Sequence, residues 1–521
     1  MTRTFFYIIL YVIYLPRGII EYAIMKLTVN IVGAGIAGLA TSIRLASRGH
    51  HVTVFEQSDK PGGKLGTLQW EGFRWDTGPT LFTLPDLVEE LYVIAGEEMK
   101  RSIRYQRLEV LTRYFYEDGN VLNAFGDPDL FIEEVENVFN EPSHRIQEYL
   151  ERNKKIYDLT SDVFIFNKFI RMGTFISRKF INALLQIWKL DSMVSMHDIN
   201  EKRFDSKQLI QLFDRYATFN GSDPYRAPGT LNVISHLEHN LGAYFPEKGM
   251  FTLATGLKEL ADNLGVVFHF NQPVEKVVMD RKVTKGIVVE GGIYPSDVVV
   301  SDIDLFYLYR DLLDDVPFPV KQFKKERSTS ALIFYWAIDQ DFPRLDLHNI
   351  MFTANDREEF RVLKHKREVY EDPTVYLFIS SKQVHGDAPE GKENWYVMVN
   401  VPENLGQDWD AIIEQTRQNI LKKIDRILGI KIEPLILKEF VADPRTIESN
   451  TLSHRGALYG NSSNSRVAAF IRHPNFMRKY KGLYFVGGSV HPGGSIPLCL
   501  ASAKIVDERI LRRRLNRTKS K

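Results

Sequence analysis

Leu27-Thr28-Val29-Asn30-Ile31-Val32-Gly33-Ala34-Gly35-Ile36-Ala37-Gly38 decides how the rest of this chain is read. Residues 27–32 form an apolar run suited to a buried strand, 36–48 have the pattern of a helix, and 51–55 form a second strand. The G-x-G-x-x-G run therefore lies between a strand and a helix, the context that turns a weak motif into a dinucleotide-binding fingerprint. Gly33 permits the tight turn, and Gly35 lets backbone approach a pyrophosphate. Gly38 lets helix and strand pack closely, with Ala34, Ile36 and Ala37 completing the phosphate-facing loop at the helix N-terminus. Glu56 ends the second strand, where a carboxylate accepts the adenosine ribose hydroxyls and disfavours a 2′-phosphate. The unit spans 27–56 and predicts an α/β protein with a Rossmann-type domain.

A chain of 521 residues exceeds what one hydrophobic core usually supports. Lys and Arg number 67 against 66 Asp and Glu, so no global field points to nucleic acid or an acidic partner. The single cysteine, Cys499, excludes an intrachain disulfide framework, fits a reducing compartment and reads as a small buried hydrophobe between Leu498 and Leu500. Further β-rich runs at 266–270, 274–279, 286–290, 297–300 and 482–486 look like additional strands of the same sheet. The expected division is a dinucleotide-binding domain built from 25–90, 242–304 and 451–515, interwoven with a mixed α+β substrate domain from 91–241 and 305–450. Within the latter, 87–241 reads as helix-rich, and 331–336 and 395–401 read as strands. The apolar run in residues 1–24 is too short to span a bilayer and precedes Met25, so it is expected to be dispensable or membrane-proximal, with Met25 the alternative start.

Just past Glu56 stands Pro61-Gly62-Gly63-Lys64, and then Phe73-Arg74-Trp75-Asp76-Thr77-Gly78-Pro79-Thr80. With the first fingerprint, with Asn220-Gly221-Ser222-Asp223-Pro224-Tyr225-Arg226-Ala227-Pro228, with Tyr244-Phe245-Pro246 and with the closing block 482–504, these resemble the bacterial-type phytoene desaturase family. The likeness covers nearly everything after Met25, and 77–85 and 452–460 are more similar to hydroxycarotenoid 3,4-desaturases. The resemblance implies FAD as the tightly held cofactor, a lipophilic carotenoid substrate and hydride transfer from a CH2–CH2 unit. It also carries cofactor contacts onto Gly62, Gly63, Lys64, Gly78, Pro79, Thr80 and Val274. Only one dinucleotide fingerprint is present, which agrees with a single flavin. Lys64, Ser489, Val490 and Ser495 depart from the commoner family residues. The rival readings are a polyprenoid saturase or isomerase, and a lipid carrier without redox chemistry resembling the prenyl-Rab dissociation inhibitors.

The closing block runs from a strand into Gly487-Gly488, His491-Pro492-Gly493-Gly494 and then Ser495-Ile496-Pro497 at the start of a helix. Bare glycine backbone lets a flavin ring approach, and the helix N-terminus stabilises the charge of the reduced ring. Desaturation releases a proton as well as a hydride, which makes His491 a candidate base, although a loop histidine beside proline serves equally as structure. Asp76 is read as an Asx-turn residue. The 13 histidines contain no H-E-x-x-H pattern, so no metal is expected, and His236 and His239 are read as solvated or capping residues. Residues 163–190 interleave Phe164, Phe166, Phe169, Phe175, Phe180 and Trp188 with Lys168, Arg171, Arg178, Lys179 and Lys189, which suits an interfacial segment. Arg512, Arg513, Arg514, Arg517, Lys519 and Lys521 would assist. The expected location is cytoplasmic, peripheral on the inner face of the cytoplasmic membrane. The acceptor that reoxidises the flavin, oxygen or a quinone, leaves no mark in the sequence.

Overall fold

The computed structural model describes residues 26–161, 193–464 and 472–518; the extension 1–24, the stretch 163–190, Lys519 and Lys521 lie outside them. At its centre is a five-stranded sheet in the order Leu483–Phe485, Val298–Ser301, Thr28–Val32, His51–Phe55, Val267–His269. All four pairings are parallel. Covered on both faces, such strands need continuous apolar runs, and Val298, Val299, Val300 and Ser301 are all buried. The helix Ile36–Ser47 is buried along nearly its whole length because helices Thr252–Asn263 and Ile496–Thr518 pack on it. Gly38, Ala37, Ala40 and Ala46 keep it thin enough for that.

The β-rich runs between 266 and 300 divide differently from the sequence expectation. Only the first and last join the parallel sheet; Lys276–Asp280, Val283–Val289 and Gly292–Pro295 form a separate antiparallel sheet. The reason is local: Arg281-Lys282 and Glu290-Gly291 all have positive φ, the geometry of two-residue hairpin turns, so each strand pairs with its sequence neighbour.

A seven-stranded sheet forms the second layer, in the order Ile436–Ala442, Ser330–Ile338, Glu393–Val401, Val375–Ile379, His348–Met351, Val110–Phe115, Val121–Phe125. Its last two strands come from the stretch read as helix-rich, where Asp118-Gly119 turns a hairpin. Alternation along these strands sets their function. Leu332, Phe334, Trp336, Trp395, Val397 and Val399 point to one face and pack with Trp409, Ile420 and Ile424 of the helix Trp409–Leu428. Each buried side chain of that size contributes about 1.5–3 kcal/mol. Ala331, Ile333, Tyr376, Tyr396 and Met398 point to the other face and line a cavity. The hairpin of Thr67–Trp70 and Phe73–Asp76 ties the layers together: Arg74 pairs with Asp387 at 3.0 Å, and buried Asp76 accepts from the Met250 and Phe251 amides at 2.8 and 3.0 Å.

Candidate active site

The parallel sheet opens a cleft at the carboxyl ends of its strands, the position fixed by the change of direction in strand order. Gly33, at φ +100°, leaves the first strand and donates its amide to Phe55 O at 2.8 Å. Gly35 caps the following helix in extended conformation, with no side-chain cap and no acid in the first turn, so the helix's leading amides face the cleft. A Cβ on Gly35 would lie 2.5 Å from Asp302 Oδ2, and one on Gly38 would run into Gly33 O. Glu56 stands across the loop: Oε2 accepts from the Ala34 amide at 2.7 Å and Oε1 from the Ser58 amide at 3.0 Å. The Gly62 amide closes the loop onto Ala34 O at 2.9 Å.

Of the residues chosen from the sequence, Gly33, Gly35, Ile36, Ala37, Glu56, Gly62, Gly63, Lys64, Pro79, Val274, Gly488, Gly494, Ser495 and Ile496 line this one cleft. Five stand elsewhere. Ala34, Gly38 and Gly487 support it from behind: the Gly38 amide donates to Asp302 at 2.8 Å and the Gly487 amide to Ser502 Oγ at 2.9 Å. Gly78 and Thr80 line the neighbouring apolar cavity, where Thr80 Oγ1 is 2.6 Å from Tyr376 OH.

The candidate base His491 lines neither cavity, although Pro492 lines the apolar one. Its backbone is held by His473 O and Asn475 Nδ2, and burial, reinforced by the Arg472 charge, pushes its imidazole down to about 4. A base must reach the proton it takes, and this geometry does not supply that reach. Asp76 holds the Met250-Phe251 backbone that leads into the helix Thr252–Asn263 rather than making an Asx turn. His236 and His239 are buried, not solvated: His239 Nε2 is 3.0 Å from Tyr216 OH, and burial pushes the two rings down to about 4 and about 3. Cys499 lines the cleft with a thiol that burial pushes up to about 12, which keeps it protonated.

Asp302 is the cleft residue that the sequence reading missed. It follows the strand Val298–Ser301 and sits against Gly33, Gly35, Gly38 and Gly487. Exposed only toward the cleft, its carboxyl is pushed up to about 7 by burial, aided by the Glu56 charge. An acid at the carboxyl end of a parallel strand was the available signal. Lys64 is likewise exposed to the cavities rather than to bulk water; its Nζ donates to Leu458 O at 2.6 Å and burial lowers its pKa.

The apolar cavity meets the cleft where Lys64, Thr77, Pro79, Leu458, Tyr459, Ser495 and Ile496 line both. Its walls are Ile333, Ile350, Phe352, Tyr376, Tyr396 and Met398, with Leu231, Ile234 and Leu237 opposite. Polar residues interrupt them, among them Arg215 and the buried Glu238 and His348. His348 Nδ1 is 2.8 Å from Tyr376 OH, Arg215 donates to Tyr114 OH at 2.7 Å, and Glu238 accepts from Tyr216 OH at 2.8 Å. Burial raises the Glu238 pKa and pushes His348 down to about 3.

A dinucleotide cleft that opens directly onto a water-poor cavity defines a redox enzyme acting on a substrate held beside its cofactor. Residues 36–511 match the model of the flavin containing amine oxidoreductase family. A 1-hydroxycarotenoid 3,4-desaturase from Flavobacterium sp. (strain P99-3) is 44% identical over 480 residues, covering 92% of this chain and 98% of that protein. A 4,4'-diapolycopene oxygenase from Methylomonas sp is 28% identical, covering 93% and 98%. The crystal structure of an oxidoreductase from Methanosarcina mazei superimposes with a TM-score of 0.61 at 15% identity, covering 92% of this chain and 100% of that one, and shares the fold. The chain belongs to the flavin containing amine oxidoreductase family and, within it, to the bacterial carotenoid desaturases. It is an FAD-dependent oxidoreductase.

The cleft fits FAD on its own chemistry. The uncapped helix start at Gly35–Ala37 suits a pyrophosphate, the Glu56 carboxylate suits ribose hydroxyls, and the bare glycines near 488 and 494 suit a flat ring. When bound, FAD supplies a two-electron acceptor for hydride.

Proposed function

We propose that this protein desaturates a long acyclic carotenoid bearing a 1-hydroxyl group, removing two hydrogens from its 3,4 CH2–CH2 unit. The reading rests above all on the junction at Lys64, Thr77, Pro79, Tyr459 and Ser495, where an apolar cavity opens into the cofactor cleft. A polyene has no polar handle along its length, and a wall of Ile333, Ile350, Tyr376, Tyr396 and Met398 holds it by contact area while excluding water. Two C–H bonds of the substrate break, one giving its hydride to the flavin and the other releasing a proton to solvent, and a C=C bond forms. The chain's contribution is placement and dryness, which raise the effective concentration of the reacting C–H bond at the junction. The high similarity to an enzyme named for that reaction supports the choice of a hydroxylated substrate.

The proposed location is the inner face of the cytoplasmic membrane. Among the described residues no helix is long and apolar enough to cross a membrane. Peripheral docking rests on the sequence of residues 163–190, which begins a few residues after the cavity-lining Ile156 and Tyr157 and mixes aromatic with basic residues. Reoxidation would pass electrons to oxygen or to a quinone.

The test is expression from Met25 in cells that accumulate either phytoene or a 1-hydroxylated acyclic carotenoid, followed by chromatography and absorption spectroscopy. The expected result is a longer chromophore from the hydroxylated precursor only. A product from phytoene alone would move the substrate, and no product from either, with FAD bound, would reject desaturation.

A further inference from the structure

Four lysine or arginine residues are buried among the described residues: Arg44, Arg327, Lys423 and Arg472. Three have carboxylates. Arg44 pairs with Glu90 at 3.1 Å, Arg327 with Asp304 at 2.9 Å and Lys423 with Asp372 at 2.9 Å. Arg472 has none. Its Nη1 donates to Tyr459 O at 3.0 Å, its Nη2 lies 3.5 Å from Ser463 Oγ, and its Nε has no acceptor. Burying an unpaired cation is costly, and the fold has placed this one in the wall of the apolar cavity. The location is specific. A Cβ on Gly493 would lie 3.0 Å from Arg472 Nε, and one on Gly460 would lie 3.8 Å from Nη1; Gly460 itself lines the cofactor cleft. The guanidinium therefore stands beside the glycine turns where cleft and cavity join.

A carotenoid is uncharged and offers this cation no counter-ion. Hydride transfer delivers two electrons and one proton to the flavin ring, so a ring that takes up no further proton carries one net negative charge. We propose that Arg472 is the cation that faces this charge, raising the flavin's reduction potential and keeping the reduced ring anionic. Fixed positive charge aimed at where negative charge develops is most effective in a site that excludes water.

The groups around Arg472 leave it as the fixed charge there. Arg327 is offset by Asp304, Tyr459 is pushed up to about 12 by burial, and His491 is pushed down to about 4 by burial and then by Arg472 itself. Lys64 is the rival cation, lining both cavities with its charge lowered by burial.

The experiment uses purified holoprotein and two readouts independent of turnover: the FAD midpoint potential, by dye-coupled reductive titration, and the dissociation constant of sulfite, which forms an anionic adduct with the ring. Arg472→Gln is expected to weaken sulfite binding at least about tenfold and lower the potential by at least about 30 mV, the tenfold equivalent for a two-electron couple. Arg472→Lys should retain most of both. Unchanged values in a flavin-loaded Arg472→Gln protein, or the whole effect appearing in Lys64→Gln instead, overturn the proposal. Should Arg472→Gln fail to hold FAD, the wild-type protein decides. On the acid side of neutrality an anionic reduced ring gives a slope of about 30 mV per pH unit, whereas a slope of about 59 mV marks a neutral ring and contradicts the assignment.

Discussion

The cofactor cleft and the apolar cavity share a wall, yet they are made in opposite ways. The cleft is backbone architecture: Gly33, Gly35 and Gly38 matter for atoms they lack, and Glu56 works by accepting main-chain amides. The cavity is side-chain architecture, assembled from alternate residues of five neighbouring strands, and no two of its wall residues are adjacent in sequence among Ile333, Ile350, Tyr376, Tyr396 and Met398. Damage to the cleft should therefore cost cofactor, and damage to the cavity should cost turnover or stability with cofactor retained.

The largest contrast is expected from Gly38→Val. Its side chain meets Gly33 O, and such overpacking costs about 1–3 kcal/mol or more, weakening FAD binding by about tenfold to hundredfold or beyond. The purified protein should be nearly colourless, as read from the ratio of flavin to protein absorbance. Glu56→Gln is a milder version. Exchanging the charge-assisted bond from the Ala34 amide for a neutral one costs about 1 kcal/mol, and a flavin fluorescence titration should show the matching rise in Kd.

Tyr376→Phe tests the other side. Deleting the hydroxyl between Thr80 Oγ1 and His348 Nδ1 leaves the buried His348 ring and the half-buried Thr80 hydroxyl short of a partner, at about 1–3 kcal/mol of stability in a denaturant titration. Flavin content should stay stoichiometric; a colourless Tyr376→Phe protein would erase the distinction between the two cavities.

Asp302 gives a pH signature confined to the cleft. Its folded value of about 7 stands above the unfolded 3.8, so the folded state holds a proton that the unfolded state has released. Stability of the flavin-stripped protein should fall as pH rises through that window and level off above about 7. Asp302→Asn, which keeps an acceptor for the Gly38 amide, should flatten this part of the profile in thermal melts. The smallest effect belongs to His491→Gln: a ring that lines neither cavity should leave turnover within about threefold, under 1 kcal/mol.

What was legible in the sequence follows the same division. The strand, glycine loop, helix and acid of 27–56 lie within thirty residues, and their spacing states their geometry. Asp302 was within reach, since an acid directly after Val298-Val299-Val300-Ser301 falls at the carboxyl end of a parallel strand. The strands Val110–Phe115 and Val121–Phe125 were also marked, by aromatic and β-branched residues around Asp118-Gly119, but the helical periodicity on either side outweighed them. The polar group of Arg215, Glu238 and His348 had no local mark at all, because the fold brings Arg215 and Glu238, on two helical segments, against His348 on a strand more than a hundred positions further on. Arg472 reads in sequence as one arginine among many. Only burial without a carboxylate sets it apart.

The most direct test of the account is anaerobic mixing of FAD-loaded protein with a 1-hydroxylated acyclic carotenoid in detergent micelles or vesicles, followed by absorption. The oxidised flavin bands should bleach as the carotenoid bands move to longer wavelength, one flavin reduced for each double bond formed. A flavin that stays oxidised while the carotenoid is demonstrably bound would contradict hydride transfer from this substrate.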